Sequence, residues 1–147
     1  MGWDEEFETE KSTYEKIKSL QGVRIPRYYG ESKYNGTRAI LLSDIGGACI
    51  GDPAGAIWDV QEFRRMMRDA LTDLARFGVL PDDIGLENFH LVGDKVMAVD
   101  FEMVYDKFSE EDPAREVESL TTWLARLYAG RQNDFLEHGK IEEEIIC

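Results

Sequence analysis

Cysteine and histidine are scarce in this chain, long apolar runs are missing, and basic charge is in short supply. The 147 residues include 2 cysteines and 2 histidines. Cys49 and Cys147 make no disulfide framework. With His90 and His138 far from them in sequence, the spacing of a zinc site is missing too. No apolar stretch approaches the ~20 residues that cross a bilayer, and Met1–Glu6 lacks the basic and apolar regions of a signal peptide. Gly2 opens like a myristoylation site, but Glu6 stands where Ser or Thr is required. The closing Ile-Ile-Cys is no prenylation box, because its cysteine is the last residue. With 17 Lys and Arg against 30 Asp and Glu, the net charge is -13. That balance argues against nucleic acid and anionic membrane as partners, since both demand basic patches. The expected setting is intracellular and cytoplasmic, with the nucleus left open.

What is present is a foldable core. Hydrophobic residues make up 43% and aromatics 11% of the chain, enough to outweigh 32% charged residues and argue against disorder. The length fits one domain. No internal repeat or low-complexity segment interrupts it. Acidic clusters at Asp4-Glu5-Glu6, Glu110-Glu111-Asp112 and Glu142-Glu143-Glu144 read as solvated surface, with a docking face for a basic protein partner as the second reading.

Periodicity then divides the chain. Phe7, Tyr14, Ile17 and Leu20 recur near helical spacing from Glu5 to Leu20, with Gly22 as a stop. Ile25–Gly30 reads as entry into a strand. Asn35-Gly36 predicts a tight turn and Thr37–Leu42 the returning strand. Gly46–Gly55 reads as a glycine-rich loop without the Gly-Lys-Ser/Thr of a phosphate cradle. Phe63, Met67, Ala70, Leu71 and Leu74 mark one face of a helix over Val60–Phe77. Phe89–Val92 and Lys95–Val99 predict a hairpin around Gly93-Asp94. A third helix is expected over Ala114–Tyr128 with Val117, Leu120, Leu124 and Leu127 inward, followed by an acidic helical tail to Cys147. Trp58 and Trp123 are expected in or beside the core, and Trp3 at the surface. The order predicts α+β architecture.

Between the second helix and the hairpin runs Gly78-Val79-Leu80-Pro81-Asp82-Asp83-Ile84-Gly85-Leu86-Glu87-Asn88, and Met97-Ala98-Val99-Asp100-Phe101-Glu102 closes the hairpin. This places an Asp-x4-Asn loop before a strand, turn and strand that end in Asp-Phe-Glu. Asp83, Asn88 and Asp100 would converge at one end of a small sheet. Each also has an ordinary explanation: Leu-Pro-Asp-Asp is good turn chemistry, and Asn88 suits a bond to local backbone.

In order and spacing, these segments resemble the protein-kinase-like superfamily, and the resemblance covers most of the chain. Phe7-Glu8-Thr9-Glu10, Tyr14-Glu15-Lys16-Ile17, Leu20-Gln21-Gly22 and Ile25-Pro26-Arg27-Tyr28-Tyr29-Gly30 resemble fungal kinase-like proteins. The resemblance implies a reduced N-terminal lobe of one helix and hairpin (about 1–43), a hinge and linker (44–57), and a mostly helical C-terminal lobe (58–147), within a single domain (1–147). It implies that Glu10 is the helix glutamate that pairs with a strand lysine. Asp44 and Ile45 lie in the hinge segment Leu41–Ile45, whose backbone meets an adenine. Asp83 becomes the catalytic aspartate that orients the attacking hydroxyl, and Asn88 with Asp100 the magnesium ligands that bridge the phosphates of ATP. Magnesium takes hard oxygen donors, few of them from protein, which suits these side chains.

The departures matter as much. Pro81-Asp82 replaces His-Arg in the catalytic loop, which removes a receptor for a phosphorylated activation loop. Glu102 stands where the metal loop has glycine. Few residues precede the first helix, and no upstream strand offers a lysine to Glu10. Loss of such electrostatic groups costs catalysis roughly 10²–10³-fold. The leading expectation is therefore a degenerate kinase-like protein serving as a binding or regulatory module for a protein partner, with weak or no phosphotransfer. The alternative is an active phosphotransferase, a protein or small-molecule kinase, that uses Mg2+ and ATP and is completed by another chain or a longer gene product. A third expectation is a metal-dependent hydrolase built on Asp83, Asp100 and Glu102. The sequence is silent on oligomeric state, although the strand edge at Arg38–Leu42 suits pairing.

Overall fold

The apolar stripe of one helix organises the chain. The computed structural model describes residues 2–81, 85–99, 104–105 and 113–141. Among these it is a mixed α/β structure of three helices and small antiparallel sheets. The order is α1 (Gly2–Lys16), β1 (Tyr28–Tyr34), β2 (Thr37–Leu42), β3 (Ala48–Cys49), α2 (Val60–Ala75), β4 (Leu80–Pro81), β5 (Phe89–Val92), β6 (Lys95–Ala98), β7 (Val104–Tyr105) and α3 (Pro113–Glu137). Short 3-10 turns occupy Lys18–Leu20, Pro53–Gly55 and Leu86–Asn88.

Helix α2 begins where Asp59 caps it, its Oδ1 accepting the Glu62 N–H at 2.7 Å. It ends where Gly78 takes φ 70; there the Val79 N–H returns to the Leu74 carbonyl at 3.2 Å, and the left-handed glycine lets the chain turn away. Between them Phe63, Met66, Met67, Ala70, Leu71 and Leu74 are buried, each large side chain contributing ~1.5–3 kcal/mol of transfer free energy. This face packs on α3, where Phe63 stacks on Tyr128 with ring centroids 4.0 Å apart.

Helix α3 outruns its expected end at Tyr128. Its buried stripe, Val117, Thr121, Leu124, Ala125, Tyr128, Gln132 and Phe135, continues through two polar residues. Leu120 and Leu127 are half-buried at the margin. Trp123, expected in or beside the core, is 50% exposed. The expected helical tail stops at Glu137, with Gly139 at φ 68 and Ile141 buried against the core; residues 142–147 lie outside the described residues.

The N-terminal layer is α1 against the β1–β2 hairpin. The expected helix to Leu20 ends at Lys16, because Ile17 leaves helical geometry (φ -107, ψ 36) and the chain tightens into the 3-10 turn. Asn35 and Gly36 take φ 51 and 77, a turn that matches strand twist, and Tyr34 faces Thr37 across it. Tyr14 on α1 stacks on Tyr28 at 5.9 Å. The glycine-rich loop holds more structure than its composition suggests: Ala48 and Cys49 form β3, which pairs with Leu91 and His90 of β5. The expected hairpin is β5–β6, with Phe89 opposite Ala98 and Val92 opposite Lys95.

Candidate functional site

Four of the six sequence-derived site residues are described: Glu10, Asp44, Ile45 and Asn88. Asp83 and Asp100 lie outside the described residues, as do Asp82, Phe101 and Glu102.

Asn88 ends the 3-10 turn that leads into β5. Its Oδ1 accepts the Gly85 N–H at 2.8 Å, and its own N–H bonds the Gly85 carbonyl at 3.1 Å. The ordinary role considered from sequence, bonding local backbone, is therefore present. It leaves a second lone pair on Oδ1, so the donor suits a hard cation as well. Across the open end of the hairpin, the Val99 N–H reaches the Asn88 carbonyl at 2.8 Å. The loop holding Asn88 and the strand running toward Asp100 are thus joined by a backbone bond. Among the described residues, no three His, Cys, Asp or Glu side chains stand close enough to share a metal ion.

Asp44 and Ile45 follow β2. The Asp44 side chain is exposed and accepts the Gly46 N–H at 2.9 Å, a local turn. Ser43 anchors the segment: its N–H donates to the Arg27 carbonyl at 3.0 Å and its Oγ accepts the Arg27 N–H at 2.9 Å. The backbone N–H and C=O of Asp44 and Ile45 make no backbone hydrogen bond among the described residues.

Strand β5 connects these two places. Ile50 N–H bonds the Phe89 carbonyl at 3.1 Å, next to Asn88, while Ala48 faces Leu91 and the Gly46 carbonyl lies 3.3 Å from His90 Nδ1. The loop after β2 therefore runs beside β5, with Gly47 against Leu91 and Val92 and the Gly46 carbonyl by His90, and Asn88 directly precedes that strand.

Glu10 is half-buried on α1, beside a charge cluster that the sequence reading did not foresee. Arg38 on β2 holds Glu31 through Nε at 3.1 Å and Nη2 at 3.0 Å, and also binds Glu8 on α1. Lys11 donates to Glu31 at 3.2 Å, and the Arg38 guanidinium lies 4.2 Å from the centre of the Phe7 ring. These bonds, Arg38 first, bring the Glu31 carboxyl down to about 2, and Glu31 in turn raises Lys11. No signal in the linear pattern marks this cluster, because its bonded pairs are 7 to 30 residues apart.

Two further anchors escaped the sequence reading. Arg24 joins the N-terminal layer to α2 and β6, through Asp73 and the Val96 carbonyl. Tyr128 and Gln132 reach from α3 to the carbonyls of Ala56 and Trp58 in the linker. No family model and no curated protein matches this sequence.

Proposed function

We propose that this chain is a protein-kinase-like domain with a reduced N-terminal layer, working as a binding or regulatory module that holds a nucleotide with little or no phosphotransfer. The observation that carries this reading is that the loop Asp44–Gly47 and Asn88 are both brought to β5. A base would bond the Asp44–Ile45 backbone while a magnesium-bound phosphate lay by Asn88. The backbone bond between Val99 and Asn88 supports Asp100 as the second oxygen donor, since it follows Val99 directly in the chain. Asp83, five residues before Asn88, would orient a hydroxyl if transfer occurs.

The weak-transfer part of the reading is favoured by how three cations of the N-terminal part of the chain are tied up. Arg38 and Lys11, on the N-terminal layer, are tied to Glu31 and Glu8, and Arg24 to Asp73. A phosphate clamp would have to strip such a cation from its carboxylate first. Electrostatic preorganisation is usually the largest catalytic term, and a group that must first be released is not preorganised.

The test is calorimetry of ATP binding, with and without magnesium, on the wild-type chain, Asp100→Asn and Asn88→Ala. The expected result is magnesium-dependent binding that both variants weaken, with no turnover above background. Robust phosphotransfer abolished by Asp83→Asn would instead establish the active phosphotransferase. Absence of binding at millimolar ATP would remove the nucleotide from the reading.

A further inference from the structure

The chain carries 13 more acidic than basic side chains, yet one face of α3 reverses that balance. A groove of about 370 Å³ runs along it, lined by Arg115, Glu118, Ser119, Thr122, Trp123 and Arg126. Their spacing is that of a single helix face. Trp123 sits in the middle with half of its surface exposed, beside the small side chains of Ser119 and Thr122. From α2, Arg64 reaches the same edge, its Nη2 donating to Thr122 Oγ1 at 3.4 Å. Arg68, also on α2, binds the Glu118 carboxylate and lowers its pKa, so the one carboxylate lining the groove is already neutralised by a partner. Arg115 and Arg126 have no ion pair among the described residues. Among the described residues, Arg115, Arg126 and Arg64 thus surround an exposed indole, and the one carboxylate of the groove, Glu118, is already paired with Arg68.

Tryptophan and arginine are the residues that most often dominate binding energy at protein interfaces. Unpaired guanidinium groups flanking the indole select carboxylates by bidentate bonding. The length of the face chooses between anionic partners. From Arg115 to Arg126 it extends about 16 Å at ~1.5 Å per residue. A long polyanion such as nucleic acid would overrun it and meet the acidic remainder of the surface, where repulsion acts within a Debye length of ~8 Å. A short acidic segment meets only the local positive excess. We propose that the α3 face centred on Trp123 docks an acidic amphipathic helix of about three turns from a partner protein, its carboxylates on Arg115 and Arg126 and an apolar side chain against the indole.

The test is fluorescence anisotropy with a labelled synthetic helical peptide, Leu at helical i, i+3 and i+4 spacing and Glu elsewhere, titrated with the full chain. The expected result is saturable binding that weakens as salt is raised. Arg115→Glu/Arg126→Glu should lower affinity at least about tenfold, and Arg115→Gln/Arg126→Gln by less, since reversal adds repulsion to the lost attraction. Trp123→Ala should weaken binding without changing the salt dependence. Circular dichroism on each variant confirms that the helices remain. Equal affinity in the charge-reversed variant, failure of the peptide to saturate, or tighter binding of an oligodeoxythymidine of equal charge would each overturn the proposal.

Discussion

Arg24 and Asp73 meet across 49 residues of chain, Nε to Oδ2 at 2.8 Å, with side chains only 16% and 23% exposed. The same arginine donates to the Val96 carbonyl at 3.2 Å, and its own carbonyl accepts the Ala98 N–H at 2.7 Å. One residue of the loop after α1 therefore fixes α2 and β6 together, immediately before the strand end that leads to Asp100. Arg24→Ala should destabilise the fold by ~1–3 kcal/mol, because it removes the bonds to Asp73 and to the Val96 carbonyl, although Arg76 Nη1 at 3.4 Å remains beside the Asp73 carboxylate. Asp73→Asn keeps a hydrogen-bond acceptor and should cost less. A double-mutant cycle by urea denaturation measures the coupling, and a value near zero would show the pair to be idle.

Tyr128 shows how a buried hydroxyl holds a linker. It accepts the Trp58 N–H at 2.9 Å and donates to the Trp58 carbonyl at 3.1 Å, while Gln132 donates to the Ala56 carbonyl at 3.0 Å. Tyr128→Phe should cost ~1–3 kcal/mol by leaving the Trp58 N–H without its partner, while the Trp58 carbonyl keeps its bond from Gln132. Burial pushes the phenol up to about 12 from 10. A raised acid favours its protonated form in the folded state. Its contribution is complete below pH 10 and is lost as pH rises from 10 to 12. Urea midpoints across that window should fall more steeply for the wild type than for Tyr128→Phe.

The parts read correctly from sequence are those whose signal is local. The stripe Phe63, Met67, Ala70, Leu71 and Leu74 is fully buried, and Asn35-Gly36 turns as its composition demands. The buried stripe of α3 beyond Tyr128 is hidden because Gln132 interrupts the apolar pattern. Gln132 is buried for the sake of carbonyls more than 70 positions away, which no window of periodicity can register. Strand β3 was hidden for a related reason: two residues amid glycines carry no pattern, and their pairing is set by β5. In the candidate site, the local bonding of Asn88 was legible from its place after a turn. The Glu8–Arg38–Glu31–Lys11 cluster was not, since charge pairing depends on which strands face which helix.

Thr121 has no exposed surface, and its Oγ1 finds no hydrogen-bond partner among the described residues. A desolvated hydroxyl without a partner is a liability of ~1–3 kcal/mol. Thr121→Val keeps the shape and removes the polar atom, so it should stabilise the protein by ~1 kcal/mol or more. A thermal melt that falls instead would mean that the hydroxyl has a partner in the folded protein.

Acid should loosen the contact between α1 and the hairpin. The Glu31 carboxyl is held at about 2, first by Arg38 and then by Lys11, against an ordinary value of 4.5. A depressed acid contributes above its unfolded value and loses that contribution as pH falls through the folded one, so the window lies between pH 4.5 and 2. Carboxyl NMR titration should find Glu31 well below the ordinary glutamate value. Glu31→Gln should speed amide exchange in Tyr28–Tyr34 and Thr37–Leu42 while leaving α2 protected. Unchanged exchange would make the cluster a surface ornament.

Gly47 and Gly46 are neighbours with nearly the same backbone angle and opposite surroundings, which makes them a matched pair. Their φ values are 69 and 63. A Cβ on Gly46 would meet nothing within 4 Å, whereas one on Gly47 would stand 2.2 Å from the Leu91 carbonyl oxygen and 3.0 Å from Val92 Cγ2. Gly46→Ala should therefore cost only the left-handed strain, ~1–2 kcal/mol. Gly47→Ala adds a backbone collision that β3 can relieve only by leaving β5, and should cost ~1–3 kcal/mol more. The difference between the two variants isolates the close approach of the hinge loop to β5. If the proposed nucleotide site spans that strand, Gly47→Ala should also weaken ATP binding more than Gly46→Ala does. Equal costs in urea denaturation would show that β3 yields without loss, and the close approach of this loop to β5 would be of no consequence.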